Sequence, residues 1–275
     1  MTEPCDLTAL EARRLIGRKA LSPVELMESC LKRIGTVNHA VNAMVAMDEA
    51  AARAGAKAAE AAVMQGGELG LLHGLPVGIK DLEETKGLRT TYGSPIFKDF
   101  VPEADCGMVA NLREAGAVVI GKTNTPEFGA GANTRNAVYG VTGNPFDPTK
   151  SAAGSSGGSG VALACGMAPI CSGSDTGGSL RNPAAFNGIV GYRPSPGLVP
   201  SEKRGHGWSG LPVLGPMARN VPDTALMLAA MASDDAMDPL AYTLPEGPVR
   251  GVPAAFHPLP PLDLASLRLA ASVAF

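Results

Sequence analysis

Two short segments rich in serine and glycine carry the residues of this sequence that could do covalent chemistry. They are residues 154–159 (GSSGGS) and 173–179 (GSDTGGS), and an uncharged apolar run, 161–170, separates them. Serine hydroxyls can act as nucleophiles or pass protons, and glycines let a backbone turn its N–H groups toward a ligand. A flexible linker would lack the apolar run. The pattern therefore indicates a pair of reactive loops.

One hypothesis takes Ser156 as the nucleophile, because it is the central residue of a GxSxG pattern. Such a nucleophile elbow follows a strand directly and needs an Asp and a His later in the chain. His257 after Asp235 or Asp238 fits that order. Residues 144–153, however, are polar and rich in turn formers, which does not favour a strand before the elbow.

The other hypothesis takes Ser179 as the nucleophile. It lies between a predicted strand and a predicted helix, after consecutive glycines whose N–H groups could bind an oxyanion. Because no histidine is near it in the sequence, the base could be a lysine whose pKa is lowered by burial or by nearby positive potential. Lys80 ends a short apolar strand and becomes of interest as such a base. Ser155 could relay the proton between Ser179 and the lysine.

A third pattern is rejected. Residues 116–123 (GAVVIGKT) match the phosphate-loop pattern GxxxxGK[ST]. In a phosphate loop the strand precedes the first glycine and a helix follows the lysine. Here the four variable residues are themselves a predicted strand, and Thr125-Pro126 stands where the helix should begin.

The remaining sequence predicts the elements that must position these loops. Helices are predicted at residues 7–20, 23–34, 48–64, 105–115, 158–167 and 222–233, with a further one beginning at Leu180. Strands are predicted at residues 75–81, 117–120 and 169–173. The alternation of strands and helices indicates an α/β core. The composition of the sequence changes at residue 234, after which the chain is predicted to be irregular and is rich in proline.

Composition excludes several classes of protein. With 275 residues, a net charge of −3 and 45% hydrophobic residues, the chain can bury a sizeable core and gives no reason to expect nucleic acid or an anionic membrane as a partner. No apolar run reaches the roughly 18 residues of a membrane span, and no secretory signal is visible. Five cysteines without a CxxC pair predict a reduced, cytoplasmic protein. Four scattered histidines without HExxH give no metal site, and no cofactor is expected.

An ordered set of motifs resembles a known family. The motifs are HGLPVGIKD at 73–81, TTYGS at 90–94, GKTN at 121–124 with Glu127-Phe128 after it, GSSGGS at 154–159, GSDTGGSLR at 173–181, GIVGYRP at 188–194 and GPMAR at 215–219. On these motifs the chain resembles the amidase signature family, the Ser–Ser–Lys hydrolases, over residues 71–228. Lys80 precedes Ser155 by 75 residues and Ser155 precedes Ser179 by 24, and both spacings fit the family.

The resemblance implies a role for each matching residue. Ser179 is implied to be the nucleophile, Ser155, on a cis peptide, the proton relay, and Lys80 the general base. The implied oxyanion hole consists of the N–H groups of Thr176, Gly177, Gly178 and Ser179. The implied supporting residues are Ser156, Asp175 and Arg181.

The resemblance also implies a fold and an activity. The fold is expected to be α/β, a mixed twisted sheet with helices on both faces, in a single domain with a helical part (1–66), a catalytic core (67–233) and an incomplete proline-rich segment (234–275). The activity is expected to be hydrolysis of a small-molecule amide through a seryl acyl-enzyme. One alternative is a glutaminase-type A subunit of a tRNA-dependent amidotransferase, which would need partner subunits. Another is an inactive truncated remnant. A homodimer is compatible with either enzyme.

Three departures from the family pattern stand out. Ala153 replaces a frequent glycine and Arg193 a common lysine, and both changes are mild. Family members usually continue well past Phe275, so the chain is expected to be truncated and, by itself, poorly folded or weakly active. Tyr92, Phe128 and Tyr139 are candidates for the substrate pocket, although large residues near a core often serve packing alone.

Overall fold

The computed structural model describes residues 3–202, 205–246 and 256–268. Within them the chain forms eight strands: β1 (Met44–Ala46), β2 (Pro76–Lys80), β3 (Val118–Thr123), β4 (Arg135–Asn136), β5 (Gly140–Val141), β6 (Ile170–Asp175), β7 (Val190–Gly191) and β8 (Val213–Ala218). The same residues form seven α-helices: α1 (Ala9–Gly17), α2 (Pro23–Val41), α3 (Glu49–Gln65), α4 (Gly107–Glu114), α5 (Gly157–Ala164), α6 (Arg181–Asn187) and α7 (Val221–Met231).

Six of the strands form one mixed sheet in the order β1-β3-β2-β6-β8-β7, and β4 and β5 form a separate hairpin. The three central strands, β3, β2 and β6, run parallel, whereas β1, β8 and β7 each pair antiparallel to their neighbours. Parallel neighbours end at the same edge of the sheet, so the last residues of β2 and β6 lie side by side. This edge brings Lys80 next to Ser174 and Asp175.

Helices cover both faces of the sheet, as the family resemblance implied. On one face the Ser159 hydroxyl of α5 lies 2.6 Å from the Thr123 hydroxyl of β3. The helix α3 also packs on β3, where a Cβ atom on Gly55 would lie 2.8 Å from Val118 Cγ1, and α7 packs along β8.

The helix α5 approaches the end of β3 unusually closely. A Cβ atom on Gly158 would lie 2.2 Å from the backbone nitrogen of Asn124, and the Gly158 N–H donates to the Asn124 carbonyl at 3.2 Å. Only glycine fits such an approach. The glycine-rich start of α5 therefore sets Ser155 and Ser156, which directly precede the helix, against the edge where β2 and β6 end.

Local sequence signals explain the outer helices. Ser22 forms the predicted capping box with Glu25 at the start of α2, where Pro23 occupies the first turn. At the other end of the fold, the Asp223 carboxylate of α7 accepts the N–H groups of Ala9 and Leu10 at 2.8 and 3.0 Å. Asp223 thus caps α1 across more than 200 residues of sequence, which ties the helical N-terminal part to the core.

Most of the predicted elements are present, with some different bounds. The predicted helix at 23–34 continues to Val41, where Asn42 in a left-handed conformation ends it, and the predicted strand at 117–120 continues to Thr123. Because Lys122 lies inside β3, the rejection of a phosphate loop is confirmed. The sequence did not predict β1, β4, β5, β7 and β8. Four of these are only two or three residues long, and the fifth, β8, contains Gly215-Pro216, which argues against a strand although all six of its residues are buried.

The segment from residue 234 contains one 3-10 turn, Leu264–Ser266, in its described part. The last part of the predicted irregular segment, residues 269–275, lies outside the described residues. No helix in the described ranges combines the length and the apolar character that a bilayer crossing requires.

Candidate active site

The candidate site is built around the side chain of Lys80, the last residue of β2. This side chain is fully buried. Its Nζ lies 2.7 Å from Ser155 Oγ, 2.9 Å from Ser156 Oγ and 2.9 Å from Ser174 Oγ. Its backbone N–H donates to Ser172 Oγ at 2.9 Å. Three hydroxyl groups therefore converge on one buried amine.

Burial lowers the pKa of Lys80 to about 7, because an ammonium ion loses its hydration there. The carboxylates of Glu83 and Asp175 act in the opposite direction and offset part of this effect. An amine with a pKa near 7 is partly neutral at neutral pH. Lys80 can therefore accept a proton, which an ordinary surface lysine cannot do under the same conditions.

The hydroxyl of Ser156 has a defined orientation. It donates its proton to the Ser174 carbonyl at 3.3 Å and accepts the Ser174 N–H at 3.3 Å. Its contact with Lys80 therefore uses an N–H of the amine, with Ser156 as the acceptor. If Ser174 accepts a second N–H, the lone pair of a neutral Lys80 faces Ser155.

The nucleophile-elbow hypothesis for Ser156 does not fit this geometry. Ser156 is fully buried and directly contacts a lysine, and no strand immediately precedes it. His257 lies near Arg13 of α1. Burial, and to a smaller extent the positive charge of Arg13, lower the pKa of His257. Asp235 and Asp238 accept backbone N–H groups of their own segment and of Ser201.

The peptide bond between Gly154 and Ser155 is cis, as the resemblance implied. This bond is packed closely against the backbone of residues 131–133. A Cβ atom on Gly154 would lie 3.0 Å from backbone atoms of that segment. Ser155 is buried. Its hydroxyl faces the amine of Lys80 on one side and the backbone of Gly129 on another.

Ser179 follows β6 in a tight turn and is half-buried. Its carbonyl accepts the Ser156 N–H at 3.2 Å, so the two serine-rich loops are joined through their backbones. The Ser179 hydroxyl has no hydrogen-bond partner among the residues that the structure describes. The structure thus brings Lys80, Ser155 and Ser156 into direct contact and places Ser179 beside them without a hydroxyl contact.

The turn before Ser179 holds the N–H groups predicted for an oxyanion hole. Gly178 is buried with a φ of 113°, a conformation suited to glycine, and its N–H donates to Asp175 Oδ1 at 2.8 Å. Within the described ranges the N–H groups of Thr176, Gly177 and Ser179 meet no acceptor. Three of the four predicted donors are therefore free to bind a ligand oxygen, whereas Gly178 N–H already has a carboxylate partner.

Asp175 organises this turn. Its side chain is fully buried and accepts the Leu180 N–H at 3.1 Å and the Arg181 Nε and Nη2 groups at 3.0 Å each. Arg193 adds a further contact at 3.2 Å. Burial alone would raise the pKa of Asp175, but the hydrogen bonds from Arg181, Gly178 and Leu180 outweigh it and hold the pKa well below its usual range.

Sequence reasoning missed three contributors to the site. Ser172 and Ser174 lie two residues apart in β6 and therefore point to the same face of the sheet. The spacing of these two serines was visible in the sequence, but their position beside Lys80 depends on the register between β2 and β6. Arg193, noted earlier only as a mild departure, donates to the carbonyl and the carboxylate of Asp175.

The three candidate pocket residues lie in two different places in the structure. Tyr92 and Phe128 meet in one aromatic cluster, where the Phe128 N–H donates to the Tyr92 carbonyl at 2.7 Å. Tyr139 instead lies beneath the guanidinium of Arg89, with 5.2 Å between the Arg89 Cζ and the ring centre. In the described part of the chain, no group of three or more His, Cys, Asp or Glu side chains is arranged to hold a metal ion.

Comparison with known proteins identifies the family of this chain. The model of the family Amidase matches residues 25–256. The A subunit of glutamyl-tRNA(Gln) amidotransferase from Bacillus pumilus (strain SAFR-032) is 45% identical over 228 residues, 83% of this chain and 47% of that protein.

Two solved structures show the same fold. A bacterial aryl acylamidase of the amidase signature family is 33% identical with a TM-score of 0.82, over 86% of this chain and 50% of that one. The peptide amidase of Stenotrophomonas maltophilia is 32% identical with a TM-score of 0.79, over 87% and 50%. The chain spans about half the length of these relatives. Since the family match extends over most of the sequence, the chain belongs to the amidase signature family.

Proposed function

We propose that this protein hydrolyses carboxylic acid amides through a seryl acyl-enzyme, with Ser179 as nucleophile, Ser155 as proton relay and Lys80 as general base. One observation carries the proposal: a fully buried lysine, with its pKa lowered to about 7, lies 2.7 Å from a serine hydroxyl beside the candidate nucleophile. A serine next to a base that is neutral at working pH is the arrangement that nucleophilic catalysis requires.

The proposed reaction starts with neutral Lys80. Lys80 accepts the Ser155 proton while Ser155 accepts the Ser179 proton, and Ser179 Oγ bonds to the amide carbonyl carbon. The resulting oxyanion is bound by the N–H groups of Thr176, Gly177 and Ser179. The C–N bond then breaks as the proton returns through Ser155 to the departing nitrogen. Water repeats the sequence on the acyl ester, releasing the acid and restoring Ser179.

The supporting residues keep this arrangement in place. Ser156 joins the Lys80 amine to the Ser179 backbone, and Asp175 with Arg181 holds the turn that presents the N–H groups. Each oxyanion donor typically contributes about 10²–10³ in kcat. The geometry of the turn should therefore matter as much as the three reacting side chains.

Labelling with a fluorophosphonate followed by peptide mapping tests the assignment. We expect an adduct on Ser179 that disappears in Lys80→Ala and persists in Lys98→Met, which changes an exposed lysine. An adduct on Ser156 would return the nucleophile to the elbow hypothesis. No adduct on a folded protein would contradict an assembled site and favour the inactive-remnant alternative.

A second candidate within the same chemistry is the glutaminase activity of an amidotransferase A subunit. The curated relative from Bacillus pumilus carries that name at 45% identity, which favours this alternative over a free-standing amidase. The two differ in their need for partners. Release of ammonia from glutamine only after addition of the other amidotransferase subunits would support the second candidate, whereas turnover of amides by the protein alone would support the first.

A further inference from the structure

A cavity of about 220 Å³ lies beside the loop that follows β2. Its wall includes three glutamates, Glu83, Glu84 and Glu202, and we call it the Glu83 cavity. Its other ionisable groups are the Tyr92 hydroxyl and the Cys106 thiol, and within the described ranges no basic side chain lines it. The wall therefore carries negative charge, which attracts a cation.

The Glu83 carboxylate differs from the other two because it has no hydrogen bond. Glu84 accepts the Tyr92 hydroxyl at 2.6 Å, and Glu202 accepts the Gly107 N–H at 2.9 Å. Glu83 is only 9% exposed, and no donor of the described residues contacts its carboxylate. An acceptor buried to this degree without a donor is unusual in a folded protein.

Electrostatic interactions place this carboxylate at the cavity wall. Burial is the main cause of the raised pKa of the Tyr92 hydroxyl and of the Cys106 thiol, and the charge of Glu83 adds to the rise in both. Glu202 and Glu84 in turn raise the pKa of Glu83. The Glu83 carboxylate thus interacts with all the other ionisable groups that line the cavity in the described part of the chain.

The two buried lysines near Glu83 have no donor left for it. An ammonium group has three N–H donors. The Lys122 amine contacts the Glu83 backbone carbonyl and the hydroxyls of Thr85 and Thr90, and the Lys80 amine contacts three serine hydroxyls. Both lysines therefore act on the Glu83 carboxylate through their charge, and neither gives it a hydrogen bond.

The ionised form of Glu83 is costly in the absence of a donor. Burial raises the pKa of Glu83 to about 7, and the charges of Lys122 and Lys80 offset part of that effect. Glu83 is therefore partly protonated near neutral pH. A cation that brings N–H donors into the cavity would supply the missing hydrogen bonds and favour the ionised carboxylate.

The rest of the wall indicates the kind of cation. Among the described residues, no group of three or more His, Cys, Asp or Glu side chains is arranged to hold a metal ion, and a metal ion needs several converging ligands. A primary ammonium group can bind a single carboxylate. Leu82 and Leu214 also line the cavity, and these apolar residues suit a short alkyl chain.

We propose that the Glu83 cavity binds a small primary alkylammonium ion, with its N–H groups on the Glu83 carboxylate and its alkyl chain against Leu82 and Leu214. Glu84 and Glu202 add negative charge around the bound ion. The inference does not depend on the proposed function, because neither Lys80 nor the serines of the candidate active site line this cavity.

Calorimetric titration of the full chain with n-butylammonium chloride at pH 8 tests the site. We expect binding that Glu83→Gln weakens at least about tenfold, the effect of losing a hydrogen bond to a charged group. Glu103→Gln removes an exposed glutamate and is the matched control, which should bind as the wild type does. Potassium chloride should not bind, and neither should tetramethylammonium chloride, whose cation has no N–H donor.

The proton balance of binding tests the role of Glu83 without a variant. Because the bound ion favours ionised Glu83, whose pKa is about 7, binding should release about 0.9 proton at pH 6 and about 0.1 at pH 8. The affinity should accordingly be about tenfold weaker at pH 6. Titrations in two buffers of different ionisation enthalpy measure this release. The release should persist in Lys80→Met, since Lys80 titrates in the same range but is not its source.

Four results would overturn the inference. Equal affinity in the wild type and Glu83→Gln would place the ion elsewhere on the protein. Equal binding of potassium or tetramethylammonium would show attraction to charge without hydrogen bonds. A release of protons at pH 6 that is absent from the wild type, or lost in Lys80→Met, would exclude Glu83 as the titrating partner. No binding of n-butylammonium by a folded protein would show that the cavity holds no cation of this class.

Discussion

The Asp175 carboxylate accepts the Gly178 N–H at 2.8 Å, so the turn that ends in Ser179 is fastened to the last residue of β6. The same carboxylate accepts the Leu180 N–H at the start of α6 and pairs with Arg181. It therefore spans the whole turn and fixes the direction of the N–H groups between its two ends. A residue with no part in the proton path thus determines whether those N–H groups converge.

Asp175→Asn should lower kcat by about 100-fold, comparable to the loss of one oxyanion donor. Asparagine keeps the size of the side chain but replaces one acceptor oxygen with an NH₂ group. Because Gly178 and Leu180 donate to different oxygens of Asp175, one of these two N–H groups loses its acceptor. The variant should also move the acid limb of activity to lower pH, because the Asp175 charge raises the pKa of Lys80.

Steady-state kinetics across pH check both effects. Asp147→Asn is the control, since the exposed Asp147 carboxylate accepts hydrogen bonds from Thr149 of its own turn. Unchanged kcat in Asp175→Asn would show that the turn keeps its geometry without the carboxylate.

The unmodified enzyme should gain activity as pH rises through about 7. Lys80 acts as a base only when neutral, and burial lowers its pKa to about 7, so the neutral fraction grows from below that pH to above it. Lys80→Arg, which stays charged at all these values, should lose about 10²–10⁴ in kcat/KM together with the pH dependence. A flat wild-type profile from pH 5.5 to 8.5 would contradict Lys80 as the base.

The residues of the site differ in how far sequence alone could predict them. Lys80, Ser155 and Ser179 stand in motifs that match the family pattern, so each could be named as a candidate without a structure. The contact of Ser174 with Lys80 could not, because it depends on the register between β2 and β6, in which Gly78 pairs with Cys171. Register is a long-range property that local sequence does not contain.

The burial of charged side chains was the second feature that the sequence did not predict. Lys122 and Glu83 belong to residue types that are rarely buried, and nothing in their neighbourhood along the chain marks them as core residues. In the structure both are buried, and each lies in the electrostatic field of the other. Strand β8 was missed for a related reason, since Pro216 suggests a break in a strand whose stability comes from its burial between β6 and β7.

Glu83→Gln should shift the acid limb of activity to lower pH and leave the plateau above it unchanged. Glu83 and Asp175 are the carboxylates that raise the pKa of Lys80, so removing the Glu83 charge favours the neutral amine. Lys122, Glu202 and Glu84 also act on Glu83, which makes the wild-type titration a coupled one. The acid limb of the pH–activity profile of Glu83→Gln should therefore follow a single ionisation more closely than that of the wild type.

The matched control for that shift is Glu103→Gln, which removes an exposed glutamate. Its pH profile should coincide with that of the wild type. A limb that moves to higher pH in Glu83→Gln, or an equal shift in both variants, would rule out a specific interaction between Glu83 and Lys80.

Lys122→Met should destabilise the protein by about 3 kcal/mol, the cost typical of removing one partner from a buried set of charges. Lys122 Nζ donates to the Glu83 carbonyl and to the hydroxyls of Thr85 and Thr90, so it fastens the loop after β2. Burial lowers the pKa of Lys122, whereas Asp81 and Glu83 favour its charged form. Without the ammonium group, the Asp81 and Glu83 carboxylates lose the cation that favours their ionised forms in the protein interior.

Denaturant unfolding of four proteins isolates this interaction: the wild type, Lys122→Met, Glu83→Gln and the double variant. Removing the Glu83 charge as well should restore part of the loss, with a coupling free energy of about 1 kcal/mol or more. Lys57→Met, an exposed substitution on α3, should leave stability within about 0.5 kcal/mol of the wild type. If the effects of the two buried substitutions on stability are strictly additive, Lys122 acts through its three hydrogen bonds alone. Only a charge interaction between Lys122 and Glu83 would make the second substitution relieve the effect of the first.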